Sequence, residues 1–374
     1  MRTFNQYIPY IVLSFWLLLG SNSLSAIEVE GLYEAELPVT SQGRAERNDV
    51  IRAAMTEVII KVSGNSQVTL TPGIPGLLKR SNQYLQQYRY NTVDLPPDPV
   101  TGSIATEQSL WVRFDQAALD KSLRDIEVPI WGHSRPVTLV WMASEKQGER
   151  HLLGSSDFAT LTDTFLQQAK RRGIPIALPL FDLEDQQRVT VTDVLGDFKE
   201  PVINASVRYP ADAILIGRMR ETAPERWEGR WTLSTSGQEY SWSQRGDLQA
   251  VLDFAVDGMA VNLAASYATA PGNVSGQLKV LVKGITNLDD YARSDRYLAA
   301  LDGVTDVQAS QIDRDRILFN VKLRGDLQNL IQAVRLSGQP VLALDEQAVA
   351  PTQPLTGQPV SEKTGPDISF RLLQ

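Results

Sequence analysis

Apolar and polar positions alternate over residues 27–39, with Val29, Gly31, Tyr33, Ala35, Leu37 and Val39 on one parity and Glu30, Glu34 and Glu36 on the other. That period of two predicts a half-buried strand. The period then lengthens. Ile51, Ala54, Met55, Val58, Ile59 and Val62 recur at helical spacing, with Ser41 as a start signal and Gly64 as a stop. Pro75 can open a second short helix. Strands are expected near 88–93 and 110–114, on either side of a loop holding Pro96, Pro97, Pro99 and Gly102. Asp115 then caps a helix carrying Leu119, Leu123 and Ile126 on one face. These elements make residues 27–134 a small α/β domain.

A second pattern, over residues 135–270, is centred on Ala211-Asp212-Ala213-Ile214-Leu215-Ile216-Gly217. Small and apolar residues broken by one Asp predict a strand buried on both faces. Before it come a strand at 137–142, a helix capped by Asp157 and ended by Gly173, a short strand at 174–178, a polar acidic connection, and a helix near 201–209. After it, two strands face each other across Ser236-Gly237. A two-residue turn there sets Trp231 opposite Trp242 and Leu233 opposite Tyr240 on one face. A long helix from Asp247 to Ala268 closes the domain, with Leu248, Leu252, Ala255, Met259 and Leu263 in one stripe.

Residues 269–276 contain Pro271, Gly272 and Gly276 and predict a linker. Beyond it, strand, helix, two strands, helix and strand follow in order across 277–345, the βαββαβ plan of ferredoxin-like domains. Residues 346–374 carry four prolines and predict a flexible tail, although 368–372 is apolar enough to dock. The fold class expected is therefore α/β, built as α+β sandwiches in three small domains, the last ferredoxin-like.

Residues 1–26 change the address rather than the fold. Arg2 is their one charge, residues 8–19 are apolar, and Ser23-Leu24-Ser25-Ala26 offers small residues for cleavage, the layout of a secretory signal peptide. A periplasmic protein is expected, cleaved after Ser25 or Ala26; retention of the segment as an anchor is the alternative. The net charge of −8 would become −9 on losing Arg2, which argues against nucleic-acid binding. The chain has no Cys, so it has no disulfide, thiol nucleophile or acylated cysteine. No run after the signal segment is expected to cross a membrane.

Candidate chemistry is sparse. His133 and His151 show no ligand spacing, and no phosphate loop, HExxH or nucleophile elbow occurs. Asp182, Glu184 and Asp185, or Asp289 with Asp290, could offer oxygen ligands, but solvated loop charge is the reading preferred for both. No catalytic residue, cofactor or metal is expected. The strongest local signal is the aromatic face of Trp231, Trp242 and Tyr240, with Arg218 and Arg220 nearby as a candidate interaction surface. Such a face could stack on sugar rings or anchor a partner; the preferred reading is the inner face of a sheet under the final helix. Arg218, Arg220, Arg226 and Arg230, near Glu221, Glu225 and Glu228, are expected to form a solvated ion-pair surface.

Arg47-Asn48, Ile51, Ala54 and Val62-Ser63-Gly64-Asn65, with Ala211-Asp212-Ala213, Gly217, Trp227, Trp231 and Trp242, resemble an uncharacterised family of secreted Gram-negative proteins, domain of unknown function two thousand sixty-six. That resemblance implies an envelope address and no assigned activity. The element order of the middle domain is similar, at fold level, to the N-terminal domain of TolB, to the flagellar protein FlgT and to penicillin-binding-protein activator lipoproteins, though without their acylated Cys. The function expected is a non-enzymatic periplasmic role through an envelope protein partner. The alternative is a peptidoglycan or carbohydrate binder, or a cell-wall enzyme, using the aromatic face.

Overall fold

In a computed structural model, residues 27–94, 106–153, 159–268, 275–337, 341–345 and 365–373 are described. The predicted signal segment, the proline-rich loop, the predicted Asp157 cap, most of the predicted linker and most of the predicted tail lie outside them. The alternating stretch at the start forms two strands, not one: β1 (Ile27–Glu28) and β2 (Glu34–Val39). Gly31, at φ +68, turns the chain between them. Helix α1 (Arg44–Ser63) and the short α2 (Ile74–Lys79) follow, then β3 (Leu85–Asp94), β4 (Thr106–Phe114) and α3 (Gln116–Asp125). Ser41 does not cap α1; its hydroxyl bonds Glu46 instead, and Gly43 stands at the cap. Strands β2, β4 and β3 form an antiparallel sheet in that order, with α1 burying Ile51, Met55, Val58 and Val62 in its core.

The middle unit opens with β5 (Ser134–Arg135), which pairs with β1, then β6 (Thr138–Lys146) and β7 (Glu149–Leu152). Next come α4 (Ala159–Arg171), β8 (Ile176–Ala177), and three short helices: α5 (Leu183–Arg188), α6 (Val191–Leu195) and α7 (Lys199–Ser206). The predicted acidic connection is thus α5 and α6. Caps from Asp182 and Thr190 make helices too short to show an apolar period. Strands β9 (Ala213–Ala223), β10 (Arg226–Thr235) and β11 (Gln238–Gly246) precede α8 (Leu248–Tyr267). The sheet runs β11-β10-β9-β6-β7, with β8 also on β6; the β6 pairings to β8 and β9 are parallel. Helices α4 and α8 cover one face and α5–α7 part of the other, so β6 is buried on both sides. Helix α8 is long and apolar enough to cross a membrane by composition. Val251, Leu252, Ala255, Met259 and Leu263 instead bury one side of it against the sheet.

In the third unit, β12 (Ser275–Lys283), α9 (Leu288–Ala300), β13 (Val304–Ile312), β14 (Arg316–Arg324), α10 (Leu327–Leu336) and β15 (Leu342–Leu344) keep the expected βαββαβ order. The sheet does not close as that plan predicts. A further strand, β16 (Ile368–Leu372), lies between β12 and β15, giving the order β13-β14-β12-β16-β15. It runs parallel to β12 and antiparallel to β15. The end of the predicted tail is therefore inside the third sheet. Together the three larger sheets, the β1–β5 pair and the ten α-helices among the described residues form a multidomain α+β fold.

Candidate interaction surface

The hairpin β10–β11 has the register that the two-residue turn predicts: Trp231 pairs with Trp242 and Leu233 with Tyr240. Ser236 and Gly237 both have positive φ, as a type I′ turn requires. Strand parity then separates the five candidate residues. Trp231, Trp242 and Tyr240 point toward α8, whereas Arg218 and Arg220 stand on the opposite face of the sheet, so the five form no single surface.

Trp231 is 1% exposed and its indole occupies the space left by two glycines. A Cβ at Gly217 would meet its ring at 2.5 Å, and one at Gly229 would meet it at 2.8 Å. Trp242 is partly buried, and its indole nitrogen would lie 2.4 Å from a Cβ at Gly258 of α8. Neither indole N–H has a hydrogen-bond partner. With Trp231 closed under α8, sugar stacking on that ring has no accessible face. Gly217→Ala should lower stability by about 1–3 kcal/mol through overpacking against the indole, measured by urea unfolding. An unchanged midpoint would show that Trp231 has room to move.

The outer face carries the exposed chemistry. A broad depression of about 700 Å³ is lined by Arg218, Glu228, Arg230, Ser241, Ser243 and Arg245, and also by Trp231 and Trp242, which pack into the core on the α8 side. Each arginine has an acidic neighbour: Arg218 meets Asp197 at 3.2 Å, Arg220 meets Glu145 at 3.2 Å, and Glu228 receives Arg230 at 2.9 Å and Arg245 at 3.3 Å. Arg230 and Arg245 hold the Glu228 carboxyl below the usual range, Arg230 most strongly. Of the acids expected to pair here only Glu228 does; Glu221 turns to Lys146 at 3.9 Å. These exposed pairs stabilise little by themselves. They leave several guanidinium donors able to exchange partners at small cost.

The other acidic candidates have local structural work. Asp182 caps α5 and pairs with Arg208 at 2.7 Å, an ion pair that holds its carboxyl down at about 2. Asp185 is buried and accepts from the Phe181 amide, Arg208 and the Tyr209 hydroxyl. Asp290 accepts from the Thr286 amide and hydroxyl at the start of α9. Among the described residues no group of three or more His, Asp or Glu side chains could hold a metal ion.

Two polar sites went unseen in the sequence. Arg135, fully buried, donates to five carbonyls: Gly132 at 3.1 Å, Arg172 at 2.9 Å, Gly173 at 3.1 Å, Lys61 at 2.9 Å and Trp131 at 3.0 Å. Its guanidinium carbon lies 4.0 Å from the centre of the Trp131 ring. The second site is a cleft of about 90 Å³ between the first and third units. There the Tyr33 hydroxyl donates to Asp120 at 2.6 Å, and Asp302 accepts from the Ser134 amide at 2.9 Å. Burial raises the pKa of both Tyr33 and Asp120 above its ordinary value. His133 Nδ1 lies 3.0 Å from the Val29 carbonyl oxygen, and that carbonyl fixes Nδ1 as the protonated nitrogen. Of these contacts, Asp302 with the Ser134 amide is the one that reaches the third unit. A single Arg beside a proline, or an Asp in a loop, carries no periodic signal that could have marked either site.

A family model described as a domain of unknown function (DUF8605) matches residues 26–132. This corrects the resemblance to domain of unknown function two thousand sixty-six. The matching family is a different one, and its match stops before Ala211-Asp212-Ala213 and the tryptophans. The TolB, FlgT and activator-lipoprotein likeness gains no support from it either, since the middle unit lies beyond the matched residues. Val62-Ser63-Gly64-Asn65 is the end of α1, with Gly64 in the left-handed conformation. A glycine in that conformation is a common way to end a helix. No curated protein matches the chain.

Proposed function

We propose that this chain is a non-enzymatic protein of the bacterial periplasm, exported by residues 1–26, that works through protein contacts in the cell envelope. One observation carries the reading: the outer face of β9–β11 exposes Arg230, Ser241, Ser243 and Arg245 around a broad depression, with Arg220 exposed in a smaller hollow beside it. Exchangeable guanidinium pairs on a stiff sheet suit a partner that presents carboxylates, because the partner's acids can replace Glu228 or Glu145 without refolding the sheet. The test is crosslinking in intact envelopes followed by purification of the chain. A protein partner should be recovered with the native chain and lost from Arg220→Glu/Arg230→Glu. Recovery of peptidoglycan fragments alone, or a partner indifferent to both substitutions, would sink the reading.

A further inference from the structure

Strand β11 ends the middle sheet, and among the described residues no strand pairs with its outer side. Its nine residues pair with β10 without a bulge and contain neither Pro nor Lys. Exposed edges are ordinarily blunted by such features, because a row of free backbone groups recruits another strand. Of the features that blunt an edge, this one has only two charged side chains, Glu239 and Arg245, and they are of opposite sign.

The sequence of β11 is also complementary to itself. Set antiparallel to a second copy about a two-fold axis at Trp242, Ser241 faces Ser243, Tyr240 faces Gln244, and Glu239 faces Arg245. The dyad repeats the Glu239–Arg245 match on its other side. Both side chains are exposed, although Glu239 already reaches Lys199 at 2.6 Å and Arg245 reaches Glu228 at 3.3 Å. Shifting the register by two residues puts Arg245 opposite Gly237 or Ser241 and loses the match. The backbone phase agrees. The closing pair of a two-residue hairpin, here Thr235 and Gln238, is hydrogen-bonded, and bonded pairs then alternate. Glu239, Ser241, Ser243 and Arg245 therefore direct their amides and carbonyls outward, and the two-fold arrangement pairs these residues with one another.

Helix α8 adds apolar area beside the same edge. Gly258 packs on Trp242, so the residues one turn to either side, Phe254 and Val261, lie on the flank of the helix next to β11. They are 42% and 40% exposed. Two-fold pairing of β11 brings this flank toward its copy, as an isologous interface requires.

We propose that β11 is a homodimerisation edge: two copies of the chain join their middle sheets antiparallel about Trp242, with Glu239 of each opposite Arg245 of the other. This goes beyond the partner contact proposed above: it uses the outward backbone groups of β11, and of the side chains on that face it engages Arg245. The test is sedimentation equilibrium of the purified chain with Glu239→Arg, Arg245→Glu and the double exchange. The native chain should dimerise. Each single reversal makes two like-charge contacts and should weaken association by about tenfold or more, while the double exchange should restore it. Thermal unfolding of each variant checks that the hairpin is intact. Hydrogen exchange supplies a second readout: the Ser241 and Ser243 amides should be protected in the dimer and exchange freely in the single variants. A native chain that is monomeric at every concentration overturns the proposal. So does a dimer that ignores both reversals, or one in which those two amides exchange freely.

Discussion

Arg135→Met will destabilise the protein by about 3–5 kcal/mol, the cost of breaking a buried charged network from one side. All five N–H groups of the guanidinium are engaged, and all five acceptors are backbone carbonyls. The acceptors explain the size of the effect. Where a buried ion pair is replaced whole by apolar side chains, little need be lost; carbonyls cannot be mutated away and would remain desolvated. Three of them sit where helices stop: Lys61 in the last turn of α1, and Arg172 and Gly173 just after α4. Helix ends leave carbonyls without partners and carry partial negative charge. Arg135 therefore caps one helix from the first unit and one from the second with a single cation, and it also holds the connector through Trp131 and Gly132. Burial draws its pKa down to about 9, so it stays protonated at neutral pH. Lys is no substitute, having three donors and no planar fork. Urea unfolding gives the stability, and limited proteolysis of the connector around 129–137 reports release of the junction. A Met variant within about 0.5 kcal/mol of the native chain would show that Arg135 is not the clamp described.

How far the sequence reaches is clear from the elements themselves. The β10–β11 register was legible because a two-residue turn leaves one pairing and strand parity does the rest. Helices α1 and α8 were legible because their apolar stripes run through several turns. The same parity, carried one step further, would have shown that Arg218 and Arg220 face away from Trp231. What stayed hidden was non-periodic or non-local. Arg135 and Asp302 act singly, through backbone groups far apart in the chain. Helices α5 and α6 are too brief for a stripe, and their acidic residues looked like loop charge while serving as caps. The place of the last strand stayed hidden for a related reason: 368–372 reads as a short apolar run able to dock, and nothing local says which strands it parts.

That strand carries the other large expected effect. Ending the chain at Gly365 should unfold the third unit, although it leaves the whole βαββαβ series intact. Ile368, Phe370 and Leu372 are buried in the core of that unit, with Val280, Val282 and Leu342 as neighbours in the same cluster. Losing three such side chains forfeits roughly 1.5–3 kcal/mol each, a sum comparable to the entire stability of a small domain. The backbone loss adds to this. Without β16, β12 loses its parallel partner over 280–283 and β15 loses its antiparallel partner. Strand β15 has three residues and no other pairing, so it cannot simply close the gap onto β12. Asp367 also ties the segment down, accepting from the Lys279 amide at 2.8 Å and donating its own amide to the Lys279 carbonyl at 2.8 Å. Residues 277–345, which hold the whole βαββαβ series, should therefore not fold as a unit on their own. The measurement is hydrogen exchange on the truncated chain: amides of β12 and β14 should lose protection while those of α1 and β6 keep it. Phe370→Ala, which keeps the chain length, should weaken the same unit by about 3–5 kcal/mol. Full protection of β12 in the truncated chain would mean that β15 does move across, and that the last strand only caps a sheet that forms without it.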